Sequence, residues 1–220
     1  MVTDGFPAIA LSFNEPDPRI MRRPPRKTGE KIVNTWIFIR YMVVGLYVGL
    51  ATSGIFIYYY TSYDWADHAH SIISLSELRN WTKCAESGAE YIGFENPCDY
   101  FLVGKRKAGT LSLTVLVMIE MFNSLNAMSE NCSLFKIGFF SNLWLWGAIA
   151  LSTICHCVIL YIPFMRNVFS TVSLDVKDWL LVLAFSLPVI LIEEILKFLS
   201  RNKFERIDEV GVRALEKKRE

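Results

Sequence analysis

The chain has 220 residues, of which 52% are apolar, 14% aromatic and 20% charged, and its mean hydropathy is +0.30. The 23 basic residues lie outside four long apolar stretches or at their edges. That distribution excludes a solvated globule with a mixed surface, a disordered or collagen-like chain and a small disulfide scaffold; a formal net charge of only +1 argues against a nucleic-acid binder.

A bilayer core of about 30 Å takes roughly 20 apolar residues of helix. Residues 1–13 are apolar but too short to span, and they read as the C-terminal half of a broken transmembrane helix. Thr3 and Asp4 stand at its start, and Gly5 and Pro7 are placed to interrupt it. Residues 14–40 carry Pro16, Pro18, Pro24 and Pro25 among arginines and predict an extended cytosolic connector. Residues 41–60 contain no charge and predict the first full span. Residues 61–107 predict a lumenal loop. If it faces an oxidising lumen, a disulfide between Cys84 and Cys98 is reasonable, with two free thiols as the alternative. Asn80-Trp-Thr is a glycosylation sequon in this loop.

Residues 108–128 predict the second span, with Glu120 its one charge. Residues 129–141 read as a cytosolic loop holding Cys132 and a second sequon at Asn131. The third span is predicted at 142–165, a lumenal loop at 166–177 and a fourth span at 178–199. The fourth has the shortest uncharged run, with Pro188 placed to kink it. Residues 200–220 form a basic cytosolic tail. Cys155 and Cys157 read as packing residues in the third span, and His156 between them has no sequence neighbour that makes a metal site. The fold class is all-α: a polytopic membrane bundle of four full transmembrane helices plus an N-terminal half helix, with the lipid bilayer as its first partner. Lys and Arg concentrate in 14–40 and in the tail, so both termini are expected in the cytosol. Lys105, Arg106 and Lys107 run against that bias.

A charge in mid-membrane is costly and usually faces a partner or a cavity. Asn123 and Ser124 follow Glu120 at i+3 and i+4, so carboxylate, amide and hydroxyl share one helix face, continued by Ala127. Oxygen donors of this kind suit a hard cation such as calcium; an interhelical hydrogen-bond network is the alternative. Glu193 and Lys197 form an i,i+4 pair and, with Glu194, read as interface charge.

Val2-Thr3-Asp4-Gly5-Phe6-Pro7-Ala8, Phe13-Asn14-Glu15-Pro16-Asp17 and Met21-Arg22-Arg23-Pro24-Pro25-Arg26 resemble the sixth transmembrane helix and following loop of sarco/endoplasmic reticulum calcium-transporting P-type ATPases. Ile119-Glu120-Met121-Phe122-Asn123-Ser124-Leu125-Asn126 resembles the eighth helix. Ser186-Leu187-Pro188-Val189-Ile190 and Glu193-Glu194-Ile195-Leu196-Lys197-Phe198 resemble the tenth. The resemblance implies that the chain is the carboxyl-terminal piece of such a pump, helices six to ten. It implies calcium as the transported ion, Thr3, Asp4 and Glu120 as metal ligands of an incomplete site, Asn123 and Ser124 behind them, and a Cys84–Cys98 disulfide. It also implies location in the endoplasmic or sarcoplasmic reticulum. No Asp-Lys-Thr-Gly-Thr motif occurs. ATP and magnesium are therefore expected only in cytosolic domains of a missing N-terminal part, and this chain alone is not expected to hydrolyse ATP. Lys217 and Lys218 look like a dilysine retrieval signal. A non-transporting four-span scaffold or regulator of a pump or channel is the competing expectation.

Overall fold

The computed structural model describes residues 2–14, 35–63, 71–86, 96–102, 104–128, 138 and 140–200. Among the described residues there is no strand. The helices are α1 Val2–Leu11, α2 Thr35–Ser62, α3 Leu75–Arg79, α4 Pro97–Leu102, α5 Lys105–Asn126, α6 Leu143–Tyr161, α7 Pro163–Phe169, α8 Val176–Ser186 and α9 over residues 188–200. A 3-10 turn, Trp81–Glu86, lies between α3 and α4. Four stretches are long and apolar enough to cross a membrane: Trp36–Ser62, Cys98–Asn126, Leu143–Tyr161 and Val176–Ser200. Their outward faces fit hydrocarbon. Leu46, Leu50, Ile154, Leu180 and Leu191 are each 60–65% exposed, and every such side chain left in water forgoes about 1.5–3 kcal/mol of burial energy. The chain is an all-α polytopic membrane bundle.

Prolines set two boundaries that composition blurs. The apolar run 142–165 is not one helix. Pro163 drives Ile162 to extended backbone (φ −81, ψ 122) and starts α7 at its first position, so α6 stops at Tyr161. Pro188 has no N–H to donate one turn back, and the helical run is interrupted at Leu187 between α8 and α9. At the other extreme, α2 starts at Thr35 and not at the apolar edge near Tyr41. Arg40, assigned by sequence to the connector, therefore belongs to the helix.

The central element is α5. It packs against α2, α8 and α1, and Ile55, Leu111, Val115, Ile119, Val182 and Val189 form the dry seam between α2, α5 and the α8–α9 pair. A smaller cluster of Ala10, Leu125, Met128 and Leu145 joins α1 to α5 and α6.

One end of the bundle is fastened by polar groups. Asp178 is fully buried in the first turn of α8. Its carboxylate accepts from the Tyr63 hydroxyl just past α2 and from the Asp175 backbone N–H at 3.0 Å, and lies 3.5 Å from the Lys107 ammonium of α5. Three helix ends thus share one acid. At the same end Cys84 and Cys98 are disulfide-bonded, with Cα atoms 5.2 Å apart, tying the 3-10 turn to α4.

Burial first, then the hydrogen bond to Asp178, pushes the Tyr63 phenol well above its ordinary range. A phenol harder to ionise in the folded state contributes stability that is present below its unfolded pKa of about 10 and is lost as pH rises beyond it toward the native value. Tyr63→Phe is expected to cost about 1.5–3 kcal/mol at pH 8, the range for a hydrogen bond to a charged group. The gap between wild type and variant in thermal unfolding should then narrow above pH ~10. A gap that stays constant to higher pH would refute this account.

Candidate functional site

At the opposite end, α1, α5 and α6 meet at one level. The Asn14 side-chain amide donates to the Met128 carbonyl at 2.6 Å. The Asn142 amide donates to the Ala10 carbonyl at 3.1 Å, while its own oxygen caps α6 by accepting from Leu145 N–H. Each helix climbs about 1.5 Å per residue from this level. Glu120, eight positions before Met128 on α5, then lies about 12 Å up. Asp4, seven positions before Leu11 at the end of α1, has its backbone about 10 Å above that end. Since α1 packs on α5, ideal helix rise puts the two backbones at similar depth, to within about one helical turn. The side chains of Thr3 and Asp4 lie outside the described residues.

Glu120 is half-buried, Asn123 exposed and Ser124 half-buried. The Ser124 hydroxyl donates its proton to the Met121 carbonyl at 2.7 Å, so its oxygen keeps lone pairs to offer. Asn123 and Ala127 line a cleft of about 630 Å³ between α2, α5 and α9, whose other walls include Arg40, Val44, Val48 and Glu193. No group of three or more His, Cys, Asp or Glu among the described residues is placed to hold a metal ion.

The cleft is edged by an ion pair. Arg40 Nε and Nη2 both donate to Glu193 Oε2, at 2.9 and 2.6 Å. Glu193 therefore pairs across the bundle, not with Lys197 one turn along. Nor are these residues interface charge: Glu193 is 3% and Lys197 1% exposed. Lys197 donates to the Asn126 carbonyl at 2.8 Å, one of the carbonyls that the end of α5 leaves open. Helix rotation turns both side chains inward, and rotation is what an i,i+4 spacing cannot give. The only sequence signal for Arg40 was its place one residue before an uncharged run.

The remaining candidates lie apart from this region. His156 is buried against Thr114, with Nε2 and the hydroxyl 3.1 Å apart. Cys155 and Cys157 are free thiols on α6. Asn80 is exposed at the end of α3. Asn131, Cys132, Lys217 and Lys218 lie outside the described residues.

A bundle of helices long and apolar enough to cross a membrane, with an acidic group partway along its central helix, defines a polytopic membrane protein. Residues 1–199 match the family described as "Cation transporting ATPase, C-terminus", and the chain belongs to that family. It is 51% identical over 217 residues to calcium-transporting ATPase 4, endoplasmic reticulum-type, of Arabidopsis thaliana, a match covering 91% of this chain and 20% of that protein. It is 47% identical to calcium-transporting ATPase 2, endoplasmic reticulum-type, of the same plant, covering 94% of this chain and 21% of the relative. A calcium-transporting ATPase of Plasmodium falciparum is 42% identical, with 93% and 17% covered. The chain thus spans about a fifth of the length of the curated relatives it matches.

Removing one partner of a buried ion pair strands the other charge. Arg40→Ala is expected to destabilise the bundle by about 2–4 kcal/mol, below the top of the buried-pair range because the Arg40 side chain keeps 16% exposure. Arg40→Ala with Glu193→Gln should recover part of that loss in a double-mutant cycle of thermal unfolding in detergent. Strictly additive effects would dissolve the pair as a fastening.

Proposed function

We propose that this chain is the carboxyl-terminal membrane module of a P-type ATPase that moves calcium from the cytosol into the endoplasmic reticulum lumen. The observation that carries the reading is the half-buried acid Glu120 on α5, the helix against which α1 packs. Thr3, Asp4 and Glu120 supply part of a calcium site, backed by Asn123 and Ser124. A hard cation takes about 6–8 oxygens, so other helices of the pump complete the shell. Carboxylates are the right donors for a cargo that must be bound and released, because they can take up protons when the cation leaves.

The relatives are about five times longer than this chain, and we assign phosphorylation, ATP and magnesium to that remainder. Residues 1–13 are then the second half of a broken helix, both termini lie in the cytosol, and the disulfide-linked segment faces the lumen. On this orientation Asn80 is available for glycosylation, and Lys217 and Lys218 are placed to act in retrieval.

Glu120→Ala in the full-length pump should abolish calcium-dependent phosphorylation by ATP, while phosphorylation by inorganic phosphate without calcium persists. Unaltered calcium dependence in that variant would overturn the assignment.

A further inference from the structure

The basic triplet Lys105-Arg106-Lys107 is unexplained by ion transport, and it runs against the charge bias of the other loops. Lys107 is used by Asp178. Lys105 and Arg106 are exposed at the start of α5, and neither has an ion pair among the described residues. Lys105 stands on the rim of a cavity of about 230 Å³ lined by Phe56 and Tyr60 from α2, Leu78 from α3, Trp81, and Phe101 and Leu102 from α4. The cavity lies where a membrane span ends and surface segments begin. Its outer residues are apolar yet uncovered: Trp81 is 48% and Leu102 52% exposed. An indole at such a level is what a membrane–water boundary selects, and a lysine there lays its stem on apolar surface and keeps its ammonium at headgroup depth.

The volume falls below the about 300–1,000 Å³ of ordinary small-molecule pockets. It is open at one side, and its lining changes from aromatic to cationic across its mouth. We propose that this cavity seats a phospholipid with an acidic headgroup: the phosphate and acidic group rest against Lys105 with Arg106 beside it, the glycerol region lies against Trp81, Tyr60 and Phe101, and the acyl chains pass along Phe56 and Leu102 into the bilayer. Charge complementarity selects the acidic lipid, since a zwitterionic headgroup brings its own cation to a mouth that is already basic.

The test uses the full chain in detergent, titrated with dioleoylphosphatidylserine or dioleoylphosphatidylcholine and read by native mass spectrometry. Phosphatidylserine should bind the wild type more tightly than phosphatidylcholine. Each basic charge near a membrane surface is worth about fivefold in affinity for acidic lipid. Lys105→Ala should therefore weaken phosphatidylserine about fivefold with phosphatidylcholine unchanged, and Lys105→Arg should restore it. Trp81→Ala should weaken both lipids, because it removes a wall and no charge. Equal binding of the two lipids by the wild type, or phosphatidylserine binding untouched in Lys105→Ala, overturns the proposal. So does displacement of the lipid by glycerol 3-phosphate at equal concentration, which would make the site one for a free phosphate. The variants leave Glu120 and α1 intact, so failure here is distinguishable from failure of the transport reading.

Discussion

Hydrocarbon offers no hydrogen-bond partner, and many hydroxyl groups in the spans are arranged accordingly. Hydroxyls turn back on their own helix: Thr52 donates to Val48, Thr114 to Thr110, Thr153 to Ile149 and Ser186 to Val182, each at 2.8 Å. Hydroxyls that reach another helix find a partner there, a backbone carbonyl for Ser112 at Thr52 and for Tyr47 at Phe185, and the His156 ring for Thr114. Such bonds are individually modest in membranes, about 0.6 kcal/mol on average. Their effect is to fix rotation, because a helix turned by one residue would bring an unpaired hydroxyl to lipid.

Charges follow the same rule at higher stakes. They are kept to the two ends of the bundle and used there as fastenings between helices distant in sequence. Arg40 and Glu193 are 153 positions apart, Tyr63 and Asp178 115. Between these levels the seam is apolar, with Ile55, Leu111, Val115 and Val182 all fully buried. A dry seam under polar ends gives register without a buried charge in the middle. Glu120 is the departure from that plan, and an expense of this kind is retained where function requires it.

The spans were legible because hydropathy over about twenty residues is a sum that single side chains barely disturb. The all-α bundle and its four crossings follow from that sum. Ends were harder. Arg40 looked like a boundary because it is charged, yet the helix runs through it since Glu193 is there to receive it. The run through Ile162 looked continuous because proline is not polar, yet Pro163 breaks it by removing a donor. What sequence could not supply was helix rotation. Glu193 and Lys197 read as an i,i+4 pair of interface charges, but the face they share is turned inward, and each meets a different helix. For the candidate site, the depth of Glu120 followed from its place in an apolar run. The level at which α1 meets α5 and α6 depended on Asn14 and Asn142, two side-chain amides whose partners on Met128 and Ala10 no spacing rule identifies.

The distribution of fastenings bears on how such a module would work within a pump. Along its length α5 is held by Lys107 to Asp178, by Ser112 to Thr52, by Lys197 on its Asn126 carbonyl, and by Asn14 at Met128 just beyond it. A helix tied above and below Glu120 cannot carry that carboxylate far without breaking several bonds at once. The described polar ties of α1 to its neighbours are at Ala10 and Asn14. Gly5 and Pro7 stand between those ties and Asp4, and Pro7 removes one rung of the helical ladder within α1. The ties along α5 make it the firmly positioned element of the bundle. In the proposed pump, the bundle described here would serve as the frame that holds Glu120 in place.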